Sequence, residues 1–320
     1  EGRREALDAI DADFENCRAA WRWATAAGEV DGLARGAWAL TDYCDQRGRV
    51  AEGWLLVAET LDATTLAAHA RPRAVLHAAG SHLLYRLDRY AEARQMAHQA
   101  LAEASDAAGD DAPILSALGT LGSCAMQLGE LEAATAHYGE LLRRAPESVD
   151  PLSAARAYVN LALVEKAAGR FDRALDYYGR SLAVHRRFGD VVGEVRCLHN
   201  LALLHLARSE LEAAGARLRA ALESCDRNGL ASMRAIVLGA MVDFARLSGD
   251  FESAQRHVRA ALAAAQPLGL RGLLCGLQLD LVHIAVHRRD LDAARAALAE
   301  AAAIALDLGR PSLQLGVASA

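Results

Sequence analysis

The stretch "AGRFDRALDYYGRSL", Ala168–Leu182, reads as a turn marked by Gly169, then the large apolar Phe171, two further residues and the small Ala174. The same order returns in "RSELEAAGARLRAAL", Arg208–Leu222, and stands earlier in "LGELEAATAHYGELL", Leu128–Leu142. Four more blocks share it, beginning at Arg47, Leu87, Ser248 and Arg288. Their small residues are Gly53, Ala93, Ala134, Ala174, Ala214, Ala254 and Ala294, spaced by 40, 41, 40, 40, 40 and 40 residues. A fixed period over the whole chain is the mark of a repeat architecture.

Each block follows another amphipathic segment, as "ARAYVNLALVEKAAG" precedes "RFDRALDYYGRSLAVHRRFG". The unit is therefore helix, tight turn, helix, with the small residue where two helices approach closely. The large apolar residues Val50, Tyr90, Leu131, Phe171, Leu211, Phe251 and Leu291 are expected to wedge between neighbouring units. Pro72, Pro113, Pro146, Pro151, Pro267 and Pro311, with Gly109, Gly189, Gly229, Gly269 and Gly309, punctuate the units. A glycine just past a helix end suits the left-handed conformation there. The reading is all-α, an α-α superhelix: a right-handed solenoid of about seven helix pairs. Residues 1–29 form an N-terminal capping or linker helix and residues 30–310 seven 40-residue hairpins. Residues 311–320 begin a further helix that stops short, and the apolar end left there implies self-association.

Composition agrees. Hydrophobic residues make up 53% of 320 and aromatics only 5%, and apolar content dominated by Ala and Leu favours helix, roughly 80% of the chain. Lys166 is the only lysine among 35 Lys and Arg, and the net charge is -6. That balance argues against a nucleic-acid backbone as partner, because such binding rests on clustered positive charge. The six cysteines, at 17, 44, 124, 197, 225 and 275, form no C-x-x-C pair, which fits reduced thiols in a cytoplasm. No apolar run approaches the ~18 residues of a membrane span. The start "EGRREALDAID" has no signal-peptide core and no initiator Met, which suggests a piece of a longer protein.

The repeat resembles the tetratricopeptide repeat over about residues 31 to 310. Leu121, Gly122, Gly129, Ala134 and Tyr138 carry the resemblance in one unit, and Leu161, Ala162, Gly169, Phe171, Ala174 and Tyr178 in the next. The unit here is longer than that family's usual one, and helices of about 16 to 18 residues at 1.5 Å per residue absorb the difference. All four tryptophans, Trp21, Trp23, Trp38 and Trp54, fall near the start. There Glu15-Asn16, Arg18-Ala19-Ala20, Trp23-Ala24, Arg47-Gly48 and Glu52-Gly53-Trp54-Leu55 resemble the junction helix in signal-transduction ATPases with numerous domains, including regulators of the maltose-activator type. That resemblance implies the sensor arm of a bacterial regulator whose ATPase and DNA-binding parts lie outside this sequence.

Enzymatic signatures are absent. There is no G-x-x-x-x-G-K-[ST], G-x-S-x-G, G-x-G-x-x-G or H-E-x-x-H. His283 and His287 share a helical face but no third metal ligand is evident. Asp110-Asp111 and Glu130 with Glu132 sit in turns, where acids favour a helix N-terminus. Cys197 and His199, two apart on a helix, point to different faces. No cofactor and no catalytic residue is expected.

First helices of stacked pairs line the inner, concave wall. By the family resemblance, an asparagine directly before the helix's conserved apolar residue is a frequent ligand contact, and Asn160 and Asn200 hold that place. Their amides can donate to and accept from a peptide backbone. One turn earlier, Arg156 and Arg196 can pair with a carboxylate. Neighbouring units add His82, Tyr85 and Arg86, then Ser123, Met126 and Gln127. Beyond them come His199, Asp243 and Arg246, and finally His283 and His287. The guest would be a peptide, a small metabolite or a partner protein; the alternative role for Asn160 and Asn200 is a hydrogen bond across neighbouring helices.

Overall fold

The computed structural model describes residues 2–63, 66, 68–105, 111–147, 149–308 and 311–318. Gly109, Gly309 and Asp110 lie outside the described residues. Sixteen α-helices, and no strand, occur among those described. Contacts divide them into two compact units, Glu1–Asp150 and Pro151–Ala320.

In the first unit α1 (Gly2–Ala27) precedes three hairpins: α2 (Val30–Gln46) with α3 (Val50–Leu61), α4 (Ala70–Arg86) with α5 (Tyr90–Ser105), and α6 (Ala112–Gln127) with α7 (Leu131–Arg144). In the second, α8 (Pro151–Ala167) pairs with α9 (Phe171–Arg187) and α10 (Val191–Ala207) with α11 (Leu211–Asn228). There follow α12 (Ala231–Leu247) with α13 (Phe251–Ala265), α14 (Arg271–His287) with α15 (Leu291–Leu308), and α16 (Pro311–Ala318). Within each unit first helices also meet: α2 touches α4 and α4 touches α6, while α10 touches α12 and α12 touches α14. Each unit is thus a stack of the α-α superhelix class, with the first helices side by side.

The small residues explain why the hairpins close. Ala93, Ala134, Ala174, Ala214 and Ala254 are fully buried, and Ala294 nearly so. At Gly53 even a methyl group would lie 2.8 Å from Cys44 Sγ, so only glycine lets α2 and α3 meet there. Gly122 does the same for Tyr138, whose ring would stand 2.6 Å from an added Cβ. The wedge residues follow suit in part. Phe171 packs on the core of the second unit, and Phe251 stacks on His287 of the next hairpin with ring centroids 3.4 Å apart. Leu291 departs from the pattern and is 59% exposed.

Helix α1 lies against α2 and α3. Trp21 anchors it, donating from Nε1 to Thr60 Oγ1 at 2.9 Å, and Phe14 stacks on Tyr43 at 5.0 Å. Trp23 does not join this cover: two residues from Trp21 it faces the opposite way and is 66% exposed. No helix among the described residues is long and apolar enough to cross a membrane. Cys17 is exposed and the other five cysteines are buried, all of them free thiols.

Candidate functional site

The forty-residue register places side chains of the second unit in rows along its first helices. Asn160 on α8 and Asn200 on α10 belong to one row, in which the next hairpins carry Ala240 and Asp280. A second row holds Leu163, Leu203, Asp243 and His283, and a third Lys166, Leu206, Arg246 and Val286.

Asn160 and Asn200 are both half-buried. Asn200 Oδ1 lies 3.3 Å from His199 Nδ1, the arrangement of a ring N–H donating to an amide carbonyl. Among the described residues neither amide bonds to a neighbouring helix, so the donors of both remain available. Burial holds the His199 imidazolium below its ordinary pKa, the Asn200 contact opposes this, and the charge of Lys166 adds to it. The ring is therefore neutral near pH 7. Lys166 itself is pushed down by burial.

Arg156 is exposed and donates from Nη2 to Ser153 Oγ at 2.7 Å. Arg196 is half-buried, with a buried Nε that has no hydrogen-bond partner. Both guanidiniums repel the protonated form of His185, a fully buried imidazole whose pKa burial lowers; Asp190, with Oδ2 2.9 Å from Nδ1, opposes the shift. Gly193 makes this packing possible, since a Cβ there would stand 2.1 Å from His185 Nδ1. Asp190 also caps α10, accepting from the Gly193 amide at 3.0 Å.

Further along the same unit Arg246 donates from Nη2 to Asp243 Oδ1 at 3.3 Å. On α14 Asp280 has its carboxyl pushed up to about 7, by burial first and by the Asp243 charge second, with Arg246 opposing. Asp280 went unnoticed in the sequence because it shares no letter with Asn160 and Asn200. The forty-residue period was the signal that could have found it. His283 is exposed, and His287 is committed to the stack with Phe251. Among the described residues no three metal-ligating side chains cluster. Cys197 is buried with Sγ 3.2 Å from Ser181 Oγ, on the side away from His199.

In the first unit His82 belongs to the second row and Tyr85 and Met126 to the third, with Arg86 and Gln127 one position further on. Burial lowers the pKa of His82 while Asp45 opposes and Arg86 adds to the fall. Arg86 Nε is 2.5 Å from Asp45 Oδ1, so its charge is already paired. Tyr85 leans on Tyr90 and accepts from Gln127 Nε2 at 3.5 Å; Met126 is half-buried beside Gln127. Arg86 and Gln127 thus have protein partners, whereas Arg196 of the second unit keeps a buried nitrogen without one.

Tetratricopeptide-repeat family models match residues 115–148 and 153–227, so the chain carries tetratricopeptide repeats there. No curated protein matches the chain. Among solved structures it resembles a Rap protein complexed with Competence and Sporulation Factor, with a TM-score of 0.65 and 15% identity over 90% of this chain and 80% of that one. A tetratricopeptide repeat protein from Parabacteroides merdae is similar with a TM-score of 0.61 and 16% identity, over 90% of this chain and 98% of the other. A signal transduction ATPase with numerous domains from Pyrococcus horikoshii, which has a tetratricopeptide repeat sensor, gives a TM-score of 0.58 and 13% identity over 88% of this chain and 46% of that protein. At these identities the likeness is one of fold.

Proposed function

We propose that the chain is a non-catalytic sensing segment of a multidomain bacterial regulator, working in the cytoplasm and binding a peptide, metabolite or partner protein along the first helices of its second unit. The observation that carries this reading is the set of unspent polar groups there. Asn160, Asn200 and Arg196 have recognition groups without partners in neighbouring helices, and Leu163, one turn past Asn160 on α8, is 37% exposed. Amides beside an exposed aliphatic side chain suit an extended peptide, whose backbone they can meet with both donor and acceptor.

The sensor in the ATPase from Pyrococcus horikoshii and the Rap protein bound to Competence and Sporulation Factor support the reading by fold. The residues of α1 to α3 that resemble the junction of maltose-activator-type regulators support the regulator context. A pure protein-interaction scaffold is the second reading, favoured by Leu247 and Val286, exposed by 57% and 53% at the ends of α12 and α14.

Thermal unfolding against libraries of short peptides and of metabolites separates the two. A guest that binds the folded state raises the midpoint by mass action. The sensor reading expects at least one compound to do so, with the shift lost in Asn160→Ala/Asn200→Ala. No shift from either library, together with capture of a folded protein by the intact chain, would favour the scaffold.

A further inference from the structure

Where α1 meets α2 and α3 the packing is incomplete. A cavity of about 180 Å³ opens there, walled by Ile10, Phe14 and Trp21 of α1, Leu40 and Tyr43 of α2 and Leu56 of α3. Phe14, Tyr43 and Leu56 are buried, so the space reaches into the core of the first unit, while Cys17 and Ala39 line its exposed mouth.

Gly36 of α2 lines the same space. At its place in the forty-residue register the six later hairpins carry Leu76, Ala117, Ala157, Cys197, Val237 and Leu277, every one buried. Close helix approach does not demand glycine here, unlike at Gly53 and Gly122. An added Cβ would meet the Trp21 ring in ordinary contact at 3.4 Å, and nothing else among the described residues. Glycine inside a helix is also destabilising relative to alanine. Packing and helix propensity are thus both forgone at a position where a side chain would fill the cavity.

The lining asks for no polar partner. Trp21 Nε1 is spent on Thr60, the Tyr43 hydroxyl donates to Asp11 Oδ1 at 2.6 Å, and Arg18 is paired with Glu15. No lining side chain has a buried polar atom without a hydrogen bond. A charged guest would lose its hydration here with nothing in return. Apolar cavities of about 150 Å³, by contrast, stay dry and take up a benzene-sized molecule. Three aromatic side chains in the wall favour a flat π system as the occupant.

We propose that this cavity is a binding site for a neutral one-ring aromatic molecule. The site belongs to the first unit and does not depend on the groove reading of the second. Its occupant would touch α1, α2 and α3 at once, and so strengthen the attachment of α1 to the first hairpin.

The test uses the full chain with fluorobenzene as probe, followed by fluorine NMR. One saturable site is expected, emptied by toluene but not by benzoate or benzylammonium at the same concentration. Gly36→Leu, which fills the space from within, should weaken fluorobenzene binding about tenfold or more, as the guest loses the burial of about two methylene equivalents. If circular dichroism shows that variant unfolded, Ala39→Leu at the mouth serves with the same expectation. The Asn160→Ala/Asn200→Ala variant should bind the probe as the unaltered chain does. No saturable binding, equal displacement by benzoate and toluene, or an affinity unmoved in the filled variant would overturn the proposal. None of those results bears on the groove of the second unit.

Discussion

Tyr138 and Tyr178 occupy equivalent places forty residues apart, and both are buried. The Tyr138 hydroxyl lies 3.0 Å from Ser123 Oγ. The Tyr178 hydroxyl has no partner, because Leu163 stands where Ser123 does in the earlier repeat. Burial pushes both phenols up, Tyr138 to about 12. Removing a bonded hydroxyl costs about 1 kcal/mol, while removing an unsatisfied buried one costs nothing or stabilises. Denaturant titration should therefore find Tyr138→Phe destabilised by about 1 kcal/mol and Tyr178→Phe unchanged or more stable. A larger loss in Tyr178→Phe would mean the hydroxyl has a partner after all. Ser209 offers a second check at this scale. It holds φ of 60° in the turn where other hairpins have Gly129, Gly169 or Gly249. A non-glycine residue pays about 1 kcal/mol or more in that region, so Ser209→Gly should raise stability by about that much. An unchanged midpoint would contradict the account of the turn.

At the level of elements, the hairpins were readable from spacing alone. A glycine or its substitute, a large apolar residue and a small one recur at fixed offsets, and the small residue is buried in every hairpin because a larger one would force the helices apart. Side-chain allegiance was less readable. His287 sits on the helical face expected of a groove residue, yet it lies in the last turn of α14 and stacks on Phe251 instead. Trp23 belongs to an aromatic-rich helix but faces solvent. Such outcomes depend on rotation about the helix axis, which a period of one turn leaves loose.

The pairing of α12 with α14 has a pH signature. Asp280 is raised to about 7 in the fold from an ordinary value near 4. The folded state thus binds more protons than the unfolded one between those values, so the contribution is full below about pH 4 and is lost as pH rises through about 7. Asp280→Asn should flatten this slope, gaining stability relative to the unaltered chain at pH 8 but not at pH 4. Parallel pH curves for the two proteins would show that Asp280 is not held in this environment.

For the molecule as a whole, each unit supports itself with its own cluster of buried side chains, but the two treat their polar groups differently. The first pairs Arg86 with Asp45 and Gln127 with Tyr85; the second leaves Arg196, Asn160 and Asp280 unspent. The function proposed for the chain therefore concentrates in Pro151–Ala320, within which the tetratricopeptide match at 153–227 also falls. Its most direct test is the affinity of a peptide selected on the unaltered chain, measured by calorimetry against Asn160→Ala/Asn200→Ala. Two to four amide hydrogen bonds at about 1 kcal/mol each predict a loss of roughly thirty-fold or more, with the thermal midpoint of the free protein little changed. An affinity within about twofold of the unaltered chain would place the guest elsewhere and contradict the account.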